Sequence, residues 1–232
     1  MRKVFAATAV AMVFSLPLHA AEVESEVLMY QAQEPGVGPY ASRIMVTARY
    51  VRMDDGNDDG DYLVFDREQR LISSVTHQDQ TVFEIPAREI SGEPPMALQR
   101  RTEKVEQKDV PKVAGKSPEH RQLYVNDALC YSVVSVPGLM GDAVEALRDF
   151  RLILAGEHAK MLPRLPADMQ DACDLVLNTF EPQWQLQFGL PIQEWDEKGN
   201  RQMLMDFKRG VMLDEALFNL PQGYRHYDTD GL

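Results

Sequence analysis

Residues 129–159 read LCYSVVSVPGLMGDAVEALRDFRLILAGEHA, and the hydrophobic period changes in the middle of this stretch. Up to Val136 the run is β-branched and apolar enough for a central strand. Beyond Pro137 and Gly138, Ala143, Leu147, Phe150 and Leu154 recur every three or four residues. Val144 and Ile153 widen the stripe, which predicts a helix over 142–159. Glu145, Arg148, Asp149 and Arg151 are assigned to its polar side. Pro163 and Pro166 break the pattern, and a second helix is expected from Asp168, whose side chain can cap free amides three residues before Asp171. Met169, Ala172, Cys173, Val176 and Phe180 would form its apolar face, and Pro182 would end it. The helical part of the chain is thus about 140–182.

Strand signals dominate on both sides of this insertion. Upstream, Val27, Met29 and Gln31 begin an extended element that Pro35, Gly36, Gly38 and Pro39 terminate. Residues 43–53 alternate as one strand, with Ile44, Val46, Ala48 and Tyr50 on one side. Shorter strands are expected at 61–65, 71–75 and 81–85, the last two joined by a turn at His77-Gln78-Asp79-Gln80. The pattern weakens over 89–116, where one polar edge strand is expected, and resumes at 122–125. Downstream, 190–195 and 202–207 are extended around the turn Asp196-Glu197-Lys198-Gly199-Asn200, and a further strand is assigned to 211–213. No repeat of 20 to 50 residues occurs. The order predicts a single α+β domain, a helical insertion between two stretches of one antiparallel sheet. One-sided strands need an apolar cover, and the helices supply it.

The 232 residues include 24 Lys plus Arg and 36 Asp plus Glu, a formal charge of -12, with 44% hydrophobic residues. The first twenty, MRKVFAATAVAMVFSLPLHA, have the basic start, short apolar run and small-residue boundary of an export signal. The apolar run is shorter than the roughly 20 residues that span a bilayer, so a cleaved signal at 1–20 and a soluble body at 21–232 are expected. Cleavage would remove Arg2 and Lys3 and no acid, leaving 22 basic against 36 acidic side chains, net -14. So negative a chain, without a Lys or Arg cluster, has no electrostatic reason to bind nucleic acid or an anionic bilayer.

Cys130 and Cys173 are the only cysteines. In an oxidising compartment they are expected to pair, fastening the second helix to the strand before the insertion; two buried free thiols are the alternative. Their spacing does not suit Cys-x-x-Cys redox chemistry.

Asp55-Gly56-Asn57-Asp58-Asp59-Gly60-Asp61 resembles the start of a calcium loop, with Asp55, Asn57, Asp59, the Asp61 carbonyl and Asp66 at the ligand positions. Asp66 replaces the usual Glu and the flanks read as strands, so an acidic hairpin turn is the simpler reading and weak calcium binding the alternative. His77, His120, His158 and His226 are too dispersed for a metal motif. His158 is placed at a helix C-terminus, where the dipole favours a charged imidazole. Ser73, Ser74, Ser132 and Ser135 lack a nucleophile-elbow setting. Gly138-Leu139-Met140-Gly141 is no phosphate loop. Nothing here calls for a cofactor.

The richest aromatic segment holds Trp184, Leu186, Phe188, Leu190, Ile192 and Trp195. With Phe150 and Leu154 from the first helix, these side chains are candidates for the walls of a cavity between sheet and helices; a completely filled core is the alternative.

The export signal, Tyr62-Leu63-Val64-Phe65-Asp66, Val113-Ala114-Gly115-Lys116 as a midchain strand start, and the terminal Leu217-Phe218-Asn219-Leu220-Pro221-Gln222-Gly223-Tyr224 carry a resemblance. The mature chain resembles an uncharacterised family of secreted bacterial proteins whose fold is similar to periplasmic lipoprotein carriers of the LolA type. That likeness implies a strongly curved antiparallel half-barrel, with helices closing its concave side over an apolar cavity, and a periplasmic location. The expected function is non-enzymatic binding or carriage of an apolar, lipid-like ligand. An envelope-assembly or protein-interaction factor with a solid core is the second hypothesis, and a hydrolase assembled from distant residues the third.

Overall fold

The computed structural model describes residues 21–166 and 169–230. The proposed export signal and the capping role of Asp168 lie outside them. The strands are β1 Glu22–Gln33, β2 Tyr40–Val46, β3 Tyr50–Asp54, β4 Tyr62–Asp66, β5 Leu71–Thr76 and β6 Thr81–Pro86. They continue with β7 Arg100–Val105, β8 Glu119–Val125, β9 Ala128–Val136, β10 Leu190–Asp196, β11 Arg201–Asp214 and β12 Arg225–Asp228. All twelve join one sheet in the order β12-β6-β5-β4-β3-β2-β1-β11-β10-β9-β8-β7, antiparallel except for β12 against β6. Two meanders, β1 to β6 and β7 to β11, meet at the long β1–β11 ladder. The helix α1, Gly141–Met161, and the short α2, Ala172–Leu175, fall between β9 and β10 and pack on this sheet. The α+β organisation and the helical insertion are therefore as the periods indicate.

Both faces of the first meander are covered. Val51, Phe65 and Ile72 join α1 residues Ala143, Phe150 and Ile153 in the main core. Tyr62, Val64, Val75 and Val82 point the other way and pack against Leu220 and Tyr224 of the C-terminal segment. Hence the run Tyr62-Leu63-Val64-Phe65 is apolar without alternation, as a strand buried on two sides must be. Phe218 stacks on Tyr50 at 5.8 Å, and the Tyr62 hydroxyl donates to the Asn219 carbonyl at 2.6 Å, so this segment lies across the sheet before β12 joins the edge.

Several local expectations are corrected. The strand expected over 43–53 is two strands, because Thr47 Oγ1 accepts from the amides of Arg49 and Tyr50 and closes a turn. The segments 202–207 and 211–213 form one 14-residue strand, β11, which accommodates its register shifts along β1. Residues 113–116 make a tight turn rather than starting a strand, closed by the Val113–Lys116 bridge. Met169 is not on a buried helical face but 64% exposed. The second helix starts at Ala172, capped by Asp171, whose side chain accepts from the Asp174 amide at 3.0 Å, and its last turn widens into a π-helical Val176–Phe180.

Cys130 on β9 and Cys173 on α2 form a disulfide with Cα atoms 5.3 Å apart, which fastens helix to sheet. A second small core of Leu123, Val125, Val176 and Trp184 surrounds it. Among the described residues no helix is long and apolar enough to cross a membrane.

Candidate functional site: a cavity beneath helix α1

Helix α1 is fixed at both ends. The Ala143 amide donates to Glu26 Oε2 of β1 at 3.0 Å, so a strand carboxylate serves the free N-terminal amides. Burial raises the Glu26 carboxyl above its ordinary range, against the lowering effect of that hydrogen bond. Towards the C-terminus, Gly156 lies so close to the chain that a Cβ there would stand 2.5 Å from the Arg88 carbonyl oxygen. Arg88 also donates to Glu157 at 3.0 Å, and Lys160 pairs with Asp230 at 2.8 Å. Asp230 is held down to about 2 by its hydrogen bonds from Arg88 and Lys160.

Beside this packed interface, α1 and the sheet border a cavity of about 280 Å³. Leu147, Phe150, Arg151, Leu154 and His158 line it from α1, at the three- and four-residue intervals that put side chains on one helical face. Ile44 and Met53 contribute the apolar sheet wall; Leu177 and Leu186, from the segment after α1, close the side. The polar lining comes from Tyr30, Ser42, Glu194 and Gln202 of the strands. His158 Nδ1 donates to the Asn178 carbonyl at 2.9 Å at the cavity margin. It lies in the last turn of α1, the helix-end placement expected from the sequence.

One end of this cavity is charged. Glu194 is only 5% exposed, and burial, its largest influence, raises its carboxyl above the ordinary value, opposed by Arg151 and by the Tyr131 hydroxyl that donates to it. Its Oε1 atom has no hydrogen-bond partner. Arg151 is steadied from behind by the fully buried Gln185, whose carbonyl oxygen, turned towards the guanidinium, accepts from Nη2 at 3.1 Å. Tyr30 donates its hydroxyl to the Pro191 carbonyl at 2.9 Å, and burial raises its pKa. Tyr131 is shifted upward by burial first and by Glu194 second. The arrangement is a chamber with apolar walls and polar groups from Ser42, Arg151 and Gln202 in its lining, a combination suited to orienting a ligand.

The eight proposed wall residues divide among four places. Phe150, Leu154 and Leu186 line the cavity. Leu190 and Ile192 belong to the same core without lining it. Trp184 and Phe188 pack around the disulfide, with the Arg121 guanidinium 4.8 Å over the Phe188 ring. Trp195 follows Glu194 along β10 and so points to the opposite face, where its ring is 5.2 Å from that of His120. There it borders a separate, open groove with Met203, Gln31 and Gln193. The four residues that define the polar end, Arg151, Glu194, Tyr131 and Gln185, were not selected from the sequence. Their signal is present: Arg151 interrupts the stripe from Leu147 to Leu154, and Glu194 stands two residues after core-packed Ile192.

The acidic loop is a different kind of structure. Asp55 Oδ1 accepts from the Asn57 amide and Asn57 Oδ1 from the Asp59 amide, while Asp61 accepts from His77. Asp66 sits at the far end of β4 with Arg49, opposite Tyr50, so it does not converge with Asp55, Asn57, Asp59 and Asp61. Among the described residues no group of three or more His, Cys, Asp or Glu is arranged to hold a metal ion.

The sequence matches no protein-family model and no curated protein. Solved structures similar to this chain include an uncharacterized conserved protein from Thermus thermophilus, at 11% identity and a TM-score of 0.44, over 89% of this chain and 91% of that one. Two structures of PNGF-II also match: the C2 form at 10% identity and TM-score 0.40, over 89% of this chain and 31% of that chain, and the P21 form at 9% and 0.45, over 90% and 32%. At these identities and scores the likenesses carry no functional argument.

Proposed function

We propose that this chain is a non-enzymatic binding or carrier protein of the periplasm for a small apolar or lipid-like ligand, built on a LolA-like curved sheet. The observation that carries this reading is the chamber between α1 and the sheet, where Ile44, Met53, Leu147 and Leu154 would gain from displacing water while Ser42, Arg151 and Gln202 add polar groups to the lining. At about 30 Å³ per water-sized group, 280 Å³ accommodates roughly ten non-hydrogen atoms, so a longer lipid would insert only one end. The disulfide accords with an oxidising compartment.

Native mass spectrometry after gentle extraction from the periplasm tests the reading. A reproducible small adduct on the wild type, lost in Leu154→Trp, which fills the chamber, is expected. Repeated absence of an adduct in the wild type would contradict carriage. An interaction role is the second reading, favoured by Met203, Met205 and Met212, which β11 leaves 39%, 59% and 53% exposed. A stable protein partner in place of the adduct would support it.

A further inference from the structure

We propose that the open groove on the sheet face away from α1, where β1, β11 and β10 lie side by side, is a carbohydrate-binding site. It is separate from the chamber and does not depend on the carrier reading.

Strand register assembles the site. Met203 on β11 is paired with Gln31 on β1 and with Gln193 on β10, and two residues away Arg201 is paired with Gln33 and with Trp195. Tyr30 and Leu204 belong to the main core beneath α1, so by alternation their neighbours Gln31 and Met203 point the other way. Six side chains thus form two rows of three on one face, with strands about 5 Å apart and rows about 7 Å apart. All six line a single groove of about 500 Å³.

The chemistry of the two rows indicates the ligand. Among the described residues, Gln31, Gln33 and Arg201 make no side-chain hydrogen bond or ion pair, and the Gln193 amide reaches only the Met203 sulfur, at 3.8 Å. Three carboxamides and a guanidinium are therefore available, and each carboxamide both donates and accepts, as a sugar hydroxyl does. Beside them lie apolar surfaces: the thioether of Met203, 39% exposed, and the indole of Trp195, steadied by the His120 ring at 5.2 Å. A pyranose ring carries hydroxyls around its rim and C–H groups on its faces, so it meets both kinds of surface at once. At about 30 Å³ per non-hydrogen atom, the groove holds one such ring and part of a second.

Other ligands match less of this surface. A hydrocarbon would strip water from four polar side chains without replacing their hydrogen bonds. An extended peptide joins a sheet at an open edge, and these three strands are interior ones. An anion would find one cation, Arg201, in a chain of formal charge -12.

NMR titration of the disulfide-bonded protein with cellobiose, maltose and N,N′-diacetylchitobiose, and with sorbitol as an acyclic polyol, tests the proposal. At least one disaccharide is expected to give saturable shifts at the side-chain amides of Gln31, Gln33 and Gln193 and at the Trp195 indole N–H, with an affinity at least about tenfold above that of sorbitol. Gln31→Ala and Gln193→Ala, both at exposed positions, are expected to weaken that sugar about fivefold each, the loss of one hydrogen bond. Leu154→Trp, which fills the chamber, should leave its affinity unchanged. Absence of saturable shifts with all three disaccharides would overturn the proposal, and so would equal binding of sorbitol or an affinity unaltered in both glutamine variants. Loss of sugar binding in Leu154→Trp would also overturn it, by placing the sugar in the chamber.

Discussion

Asp54 has a fully buried side chain held by two guanidinium groups. Arg43 donates to both carboxylate oxygens at 2.8 Å, and Arg52 donates to Oδ2 at 2.7 Å. Burial by itself would raise the Asp54 pKa, but these hydrogen bonds outweigh it and lower the value below 3.8. The folded state therefore binds its proton less readily than the unfolded chain. The stability Asp54 contributes is complete above 3.8 and is lost as pH falls through the depressed value. Asp54→Asn should cost about 3 kcal/mol at neutral pH, because two cations lose their shared partner. In urea melts its stability should fall less steeply than that of the wild type as pH is lowered below 3.8. Glu194 has the opposite sign. Its carboxyl is raised above 4.5, so the folded chain holds the proton longer, and stability declines as pH rises from 4.5 towards the raised value. Glu194→Gln should remove that decline, seen as a wild-type-minus-variant difference in urea midpoint that falls with rising pH through this window. Neither partnership is legible in the sequence, since each depends on a residue from another element, Arg43 of β2 for Asp54 and Tyr131 of β9 for Glu194, and 36 carboxylates offer no local reason to choose these two.

Helix α1 and the segment after it depend on different forces. The 21 residues of α1 bury a continuous stripe against the sheet, and this is why its period identifies it in the sequence almost to its ends. The α-helical part of α2 is four residues long, too short to be sustained by its own hydrogen bonds, and the widened turn that follows disrupts the expected periodicity. The disulfide holds this segment in place. The 43-residue separation corresponds to about 4 kcal/mol in a chain-entropy account. Replacing both cysteines by serine should lower stability by about 2–4 kcal/mol, with amide exchange accelerated first over 172–188 and α1 still protected. Slowest exchange over 172–188 in that variant would contradict the clamp. A Gly156→Ala change should cost about 1–3 kcal/mol in urea melts, because the added methyl meets the Arg88 backbone rather than a movable side chain. β12 escaped sequence reading because all four of its residues are exposed and its only partner is the distant edge strand β6.

At the scale of the whole molecule, the β1–β11 ladder turns two meanders into one twelve-stranded sheet, with α1 over one face and the C-terminal segment across the other. The order of elements was readable because hydrophobic periods are local. A chamber was not, because its lining gathers side chains from β1, β2, β3, β10, β11, α1 and the segment after α1, which lie far apart along the chain. A methyl-resolved NMR titration with 1-octanol tests whether that space receives a ligand. Saturable shifts at Ile44, Met53, Leu147 and Leu154, with Leu123 and Val125 of the disulfide core unmoved, are the expected result. Shifts confined to Met203 on the opposite face, or none that saturate, would contradict it.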